Sequence, residues 1–417
     1  MKRISIAKKL LVITTAALAV RLLFCTVYWV DKPITHDAQE YLLLADNIVE
    51  GKGFAYEIIP GDKVEHHERA PVYPLFLAAI ISIFGKNYLA IKIIQALITS
   101  LLPLIIFKTA RILFDERTGL IAAWIIALYP PLIWGTAEFL SESLFTVIVM
   151  AGFYYLARYH RSNLFKDLLI AVLYLIIAAH TKPVMLMGFP LIVLWIFFRT
   201  RKDRSPAFKH TVFFTIVSIL LLVPWTVRNY AVQKKFILIA SEGGITFWTG
   251  NNPLAVGDGD MAANPQIKQA NNNLRKQHGY PSPAEMERIY YHEALKFIKA
   301  EPVSFISLLV KKSFYFWFPV GRSMSLFSFR HQLTSHISYF PILLLAGIAA
   351  ITLIIAGKTP VLPLISMLSA MIACVIFFPQ ERYRIPMTDP FLILLAAYFI
   401  AGRFSAFKKK HKRKSNR

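Results

Sequence analysis

Uncharged apolar stretches long enough to cross about 30 Å of hydrocarbon recur from one end of this 417-residue chain to the other, and that recurrence limits the fold more than any motif. Hydrophobic residues make up 56% of the chain and charged ones only 17%, against about 25% charged in an average soluble domain. The composition excludes an ordinary soluble protein and predicts an all-α polytopic membrane protein. Ten spans are expected, at 10–30, 88–112, 119–134, 142–158, 164–180, 184–198, 210–227, 336–356, 360–378 and 387–403. The first is read as uncleaved, because its apolar run continues past the small-residue triplet Ala17-Leu18-Ala19 to Val30.

Placement of charge orients these spans. The net charge is +23, and seven of the last ten residues are basic. Lys2, Arg3, Lys8 and Lys9 crowd the other end. Aromatic stacking residues are not interleaved with the tail charges, so both ends read as cytoplasmic anchors on anionic lipid rather than nucleic-acid binders. With the N-terminus inside, Arg111, Arg117, Arg158, Arg161 and the run Arg199 to Lys209 also fall inside, as the positive-inside rule requires. Pro71 to Phe84 is apolar but short. Counting it as a span would invert everything after it, so it is expected to lie on or dip into the outer face.

Four regions follow: 1–227, membrane-embedded and catalytic, with an external loop at 31–87; 228–335, an extracytoplasmic cap; 336–403, the last spans; and 404–417, a basic cytoplasmic tail. Nine Asp or Glu lie between Asp31 and Glu68. The cap opens with a Gly/Asn/Pro-rich stretch, Gly243 to Pro265. A helical pattern follows over Ala284 to Ala300, with Ile289, Leu295 and Ile298 at core-like spacing. Ser304 to Val320, interrupted by Lys311 and Lys312, suits an interfacial helix. Cys25 and Cys374, the two cysteines, both sit in apolar runs and supply neither a disulfide framework nor a thiolate metal site.

Sorted by membrane side, the residues able to do chemistry gather outside. Asp37 and Tyr41 follow the first span; Glu68, Arg69 and Tyr73 open the surface helix; Glu138 and Glu142 lie between spans three and four. Lys182 ends span five, Arg228 ends span seven, and Arg382, Tyr383 and Arg384 end span nine. Carboxylates beside guanidinium groups suit transfer from an anionic, lipid-anchored leaving group to a hydroxyl. A carboxylate takes the acceptor proton, and Arg or Lys holds the departing phosphate. Plainer readings stand beside this one: helix capping for Asp37, a solvated turn for Glu138 and Glu142, and headgroup snorkelling for Arg69, Lys182, Arg228, Arg382 and Arg384.

Asp37-x-x-x-Tyr41, the element Glu68 to Pro74, the acidic turn Glu138 to Glu142, and Trp248-Thr249-Gly250-Asn251-Asn252-Pro253 occur in that order. The chain thereby resembles the GT-C membrane glycosyltransferases, in the bacterial branch of glycosyltransferase family 39 related to protein O-mannosyltransferases and the lipid A aminoarabinose transferase. The resemblance implies a GT-C-like bundle in the cytoplasmic membrane. It also implies a polyprenyl-phosphate-linked sugar as donor, and a lipid, glycan or protein acceptor on the outer face. Asp37 falls at the family's catalytic base and Arg69 at the donor phosphate. Glu68, Glu138 and Glu142 are the further catalytic candidates, and Lys182, Arg228, Arg382 and Arg384 the further phosphate ligands. Tyr41, Tyr73 and Tyr383 are the substrate contacts. Arg69-Ala70-Pro71 replaces the family's common Lys-Pro-Pro, and two Glu stand where many relatives carry an Asp.

No cofactor is required. His36, His66 and His67 leave a divalent cation open, although adjacent histidines cannot readily ligate one ion. A transporter or flippase of a lipid-linked anion, or a non-catalytic lipid-binding subunit, would also use many spans and basic residues. Arg21 lies mid-span, where a charge costs about 2.5–3.5 kcal/mol on insertion scales. It is expected to meet a carboxylate, a cavity or a lipid phosphate.

Overall fold

The computed structural model describes residues 5–415 apart from 31, 33, 35, 57–64, 67–68, 200–203 and 282. Glu68 and His67 therefore lie outside the described residues, and the side chains of His36 and His66 are likewise not described.

Helix α1, Ile6–Leu23, continues into a π-helical turn at Phe24–Tyr28. Helix α2, His36–Val49, is joined through a two-residue antiparallel pair, β1 Ala55–Tyr56 and β2 Glu65–His66, to α3, Val72–Phe84. Then come α4 Tyr88–Thr99, α5 Leu102–Leu113, α6 Glu116–Ala127, α7 Pro130–Ala137, α8 Glu142–Ser162 and α9 Phe165–Thr181. A 3₁₀ turn at Pro183–Met187 leads into α10 Gly188–Phe198 and α11 Arg204–Gln233. The segment expected to cap the bundle holds α12 Gly243–Gly250, α13 Pro265–Gln277, α14 Pro283–Ala300, α15 Pro302–Trp317 and the short α16 Arg322–Ser325. Helices α17 Phe329–Ile355, α18 Val361–Ile376 and α19 Glu381–Ser415 complete the chain.

Each of the ten expected spans coincides with a helix or a broken pair of helices. Five segments are long and apolar enough to cross a bilayer alone: Ile6–Tyr28, Tyr88–Leu113, Pro206–Gln233, Phe329–Ile355 and Glu381–Gly402. A sixth is α6 with α7, bent by 49°. The last of the five is the centre of the bundle, with 72% of its apolar window buried, against 17–22% for α1, α11 and α17. Glycines permit the closest helix contacts, as expected where small residues let backbones approach. A Cβ on Gly119 would lie 2.8 Å from the Phe107 ring, and one on Gly152 would lie 2.8 Å from Leu175.

Helix α3 has 13 residues, about 20 Å at 1.5 Å per residue, too short to cross. It runs alongside α2. Arg69 before it meets the start of α2, and Lys86 after it pairs with Asp46 and Glu50 at the end of α2. This agrees with a helix that stays on one face.

Arg21 meets none of the expected partners. Buried at the α6–α7 break, it donates to the carbonyls of Ala127 (2.9 Å) and Ile126 (3.5 Å), and to Ala17 in its own helix (3.1 Å). A helix C-terminus carries unpaired carbonyls and partial negative charge, so a guanidinium is a fitting cap.

The Gly/Asn/Pro-rich stretch contains a helix, α12. Two readings of the segment need correction. The core face of α14 is Met286, Tyr290, Ala294 and Phe297, while Leu295 is exposed. Lys312 does not mark a wet interface, because its side chain is fully buried. Trp248, Ile267, Met286, Tyr290 and Ala294 form a small core among α12, α13 and α14.

Candidate active site

Helix α2 presents Asp37 in its first turn and Glu40 one turn later on the same face. Arg69, just ahead of α3, and Arg382, the second residue of α19, close on Asp37 from two sides. Arg69 Nη2 donates to Oδ1 at 3.2 Å and Arg382 Nη1 to Oδ2 at 2.7 Å. Arg69 also donates through Nε to Glu40 at 2.7 Å and lies 3.3 Å from Glu242, which immediately precedes α12. Its guanidinium stacks 4.7 Å from the Tyr41 ring. One guanidinium is thus ringed by three carboxylates, two from α2 and one from the loop before α12.

The cluster continues from Arg382, whose Nη2 donates to the Tyr383 hydroxyl at 3.0 Å. Lys182 stacks on the Tyr383 ring at 4.6 Å and donates to Glu142 at 2.5 Å. Burial alone would lift the Asp37 carboxyl, but the Arg382 and Arg69 guanidinium groups outweigh it and hold the group well below the usual carboxylate range. Burial pulls the Arg69 guanidinium down, and Glu242, Tyr41, Glu40 and Asp37 more than restore it, so it stays charged.

Glu138 differs from its neighbours. Among the described residues no donor reaches its carboxylate; only its backbone carbonyl is bonded, by Gln95 at 2.9 Å. Burial, reinforced by Glu142, raises it to about 7. It lines a cavity of about 60 Å³ with Trp134, Glu142, His331, Glu381 and Arg382. At about 10–15 Å³ per water this holds about four to six waters.

Of the residues singled out from sequence, Asp37, Tyr41, Arg69, Glu138, Glu142, Lys182, Arg382 and Tyr383 therefore come together at one end of the bundle. Three do not join them. Arg228 stacks between Phe54 and Trp225 and donates to the Phe54 carbonyl at 3.4 Å, pinning the external loop. Arg384 points into the helix core, over the Tyr339 ring and 3.3 Å from Asp389. Tyr73 is fully buried, donates to Gln95 at 2.7 Å, and supports Tyr41 edge-on. Glu40, Glu242, His331 and Glu381 were missed. Glu40 was findable, three residues after Asp37, whereas Glu242 and His331 arrive only by tertiary folding. Among the described residues, no three or more His, Cys, Asp or Glu gather as a metal site.

Comparison with known proteins bears on the fold. Residues 68–227 match the family of dolichyl-phosphate-mannose-protein mannosyltransferases. No curated protein sequence matches the chain. Among solved structures, the archaeal oligosaccharyltransferase AglB from Archaeoglobus fulgidus, in complex with an inhibitory peptide and a dolichol-phosphate, is similar over 99% of this chain. The TM-score is 0.62 and the identity 14%. The same enzyme tethered to an acceptor peptide gives a TM-score of 0.59 at 14% identity over 98% of this chain. The chain spans about half the length of those oligosaccharyltransferases, 52% and 51%. ArnT from Cupriavidus metallidurans bound to undecaprenyl phosphate is less similar, with a TM-score of 0.48 and 12% identity over 96% of this chain and 79% of that one. The likeness shows the fold: the chain is a multi-pass membrane protein with the fold of the GT-C glycosyltransferases.

Proposed function

We propose that the protein transfers a sugar from a polyprenyl-phosphate donor to a hydroxyl acceptor on the outer face of the cytoplasmic membrane, with both termini in the cytoplasm. The observation that carries the reading is the carboxylate of Asp37 held between the guanidinium groups of Arg69 and Arg382. A phosphate offers each guanidinium the same kind of anionic oxygen acceptor that it finds in Asp37 and Glu40, and in a geometry that its planar fork can bind bidentately. Binding of the donor draws Arg69 and Arg382 to the phosphate and relieves Asp37 of the charges that suppress its basicity. Asp37 then accepts the acceptor's proton as the acceptor oxygen bonds to the anomeric carbon. The bond from that carbon to the phosphate oxygen breaks, and polyprenyl phosphate departs as an anion stabilised by the two Arg. A single displacement inverts the anomeric centre. Phosphate leaves without protonation, so no second carboxylic acid of the glycosidase type is needed.

The polar groups gather at one end of the bundle, where a lipid phosphate lies, which suits a transferase better than a two-sided transport path. The direct test is incubation of the purified protein in lipid with polyprenyl-phosphate sugars. Release of free polyprenyl phosphate that depends on an acceptor supports the reading. Intact donor after prolonged incubation across several sugars and acceptor fractions argues against it.

A further inference from the structure

The segment Trp248 to Pro253 lies outside the polar cluster, yet it is the most tightly specified part of the cap. Asn251 Nδ2 donates to the Phe247 carbonyl at 2.8 Å and to the Ile376 carbonyl at 2.9 Å. Asn252 Nδ2 donates to the carbonyls of Trp248 and Thr249. The two amides thus satisfy backbone groups that the ends of α12 and α18 leave open. Gly250 is packed so closely on the Phe377 carbonyl that a Cβ would lie 1.8 Å from its oxygen, so no other residue fits there.

Lys312 of α15 closes this joint. Fully buried, it donates to Asn251 Oδ1 at 2.8 Å and lies 3.5 Å from the Ile376 carbonyl oxygen. Six residues beyond Ile376 comes Arg382. The chain between them is tied once more to the cap, where Gly259 N–H donates to the Pro379 carbonyl at 3.2 Å, and Asp260 approaches Arg382 at 4.0 Å. Anchors at 376, 379 and 382 leave the turn from α18 into α19 little freedom.

We propose that Lys312, acting with Asn251, is a positioning residue for donor binding: it fixes the 376–382 turn and so holds the Arg382 guanidinium where the donor phosphate sits. The inference rests on the donor reading above. A buried ammonium group is costly to keep, and here it has hydrogen bonds without a counter-charge. Among the described residues no carboxylate from α12, α14 or α18 pairs with it. Burial alone, with no charged or titratable group from α12, α14, α15 or α18 contributing, pulls the ammonium down to about 7, so the protonated joint is weakened as pH rises through neutrality.

The test is a double-mutant cycle on binding of undecaprenyl phosphate to the protein in nanodiscs, with Tm followed in parallel. Lys312→Met keeps length and fits an apolar site. It should weaken binding about tenfold or more, and the Lys312→Met, Arg382→Ala double variant should bind no worse than Arg382→Ala alone, since both act through one guanidinium. Wild-type affinity should fall as pH rises through about 7. Lys312→Arg carries a charge that does not titrate near neutrality and should flatten that fall, a readout that survives even if Lys312→Met folds poorly. Binding by Lys312→Met within twofold of wild type, additive losses in the double variant, or a pH profile in Lys312→Arg identical to that of wild type would each overturn the inference while leaving the donor reading intact. Failure of the wild type to bind undecaprenyl phosphate would instead remove the donor reading itself, and this inference with it.

Discussion

Replacing Asp37 with Asn separates a base from a structural carboxylate. The substitution keeps the size of the side chain, leaves one acceptor oxygen where Arg69 and Arg382 each found their own, and removes the negative charge. Around the site, Arg69, Lys182 and Arg382 face Asp37, Glu40, Glu142 and Glu242. Losing one of four carboxylates makes the cluster more attractive to a phosphate, so affinity for undecaprenyl phosphate should hold or rise. Turnover should behave oppositely. A general base is worth about 10²- to 10⁴-fold, which is about 2.7–5.4 kcal/mol of barrier at 1.36 kcal/mol per tenfold.

The stability cost should be small. The Asp37 and Arg382 side chains retain 31% and 29% of their exposure, so solvent screens the pair and about 1 kcal/mol is a fair upper figure. Its pH dependence follows from the direction of the shift. A carboxyl held below its unfolded value of about 3.9 contributes stability above that value, and loses it as pH falls toward the folded value. The Asn variant should lack this acid sensitivity, lie below wild type by no more than about 1 kcal/mol near neutrality, and converge with it in acid. The assay is single-turnover release of polyprenyl phosphate, paired with undecaprenyl phosphate binding. Turnover within about threefold of wild type would refute Asp37 as base and direct attention to Glu138, which lines the cavity with no donor on its carboxylate. Loss of binding in step with turnover would show that Asp37 only organises the phosphate site.

Arg69→Ala leaves Asp37, Glu40 and Glu242 facing one another without their shared cation. It should lower Tm, by a cost on the order of 3–5 kcal/mol for breaking a buried pair, and abolish donor binding. Arg69→Lys should retain folding but bind donor more weakly, because the fork is lost; equal donor affinity in all three proteins would exclude Arg69 from the phosphate site. Arg21→Met should strand the Ala127 and Ile126 carbonyls at about 1–3 kcal/mol each, lowering thermal stability in detergent while sparing turnover per folded molecule. An unchanged Tm would mean that the α6–α7 break needs no cap. For topology, Cys introduced at the exposed Lys52 and Gln269 should react with an impermeant maleimide in spheroplasts. The native Cys25 and Cys374 are buried and should stay silent. Reaction only after permeabilisation would reverse the membrane sides.

The amino-acid sequence determined, by itself, which segments are helices in the membrane and which polar residues share a side. Both are properties of a linear pattern: an apolar run must be long enough to span or must lie at the surface, and parity then assigns every later loop. That logic expects α3 to stay on one face; at 13 residues it is short for a span, and Lys86 after it pairs with the end of α2. It also selected Asp37 and Arg69, 32 residues apart, and Arg382, 345 residues from Asp37, and the three meet. Tertiary packing decided what each charge does there. Arg228 and Arg384 carry the same group as Arg69, but packing turned one toward the Phe54 carbonyl and the other toward Asp389. Arg21 found a broken helix end rather than an ion, because a bend between α6 and α7 is not written in any local pattern around residue 21. Glu242 and Lys312 became part of the site and its support only once the cap closed over the bundle. An isolated segment's hydrophobic period records which face is buried, and the partner that face will meet depends on the fold of the rest of the chain.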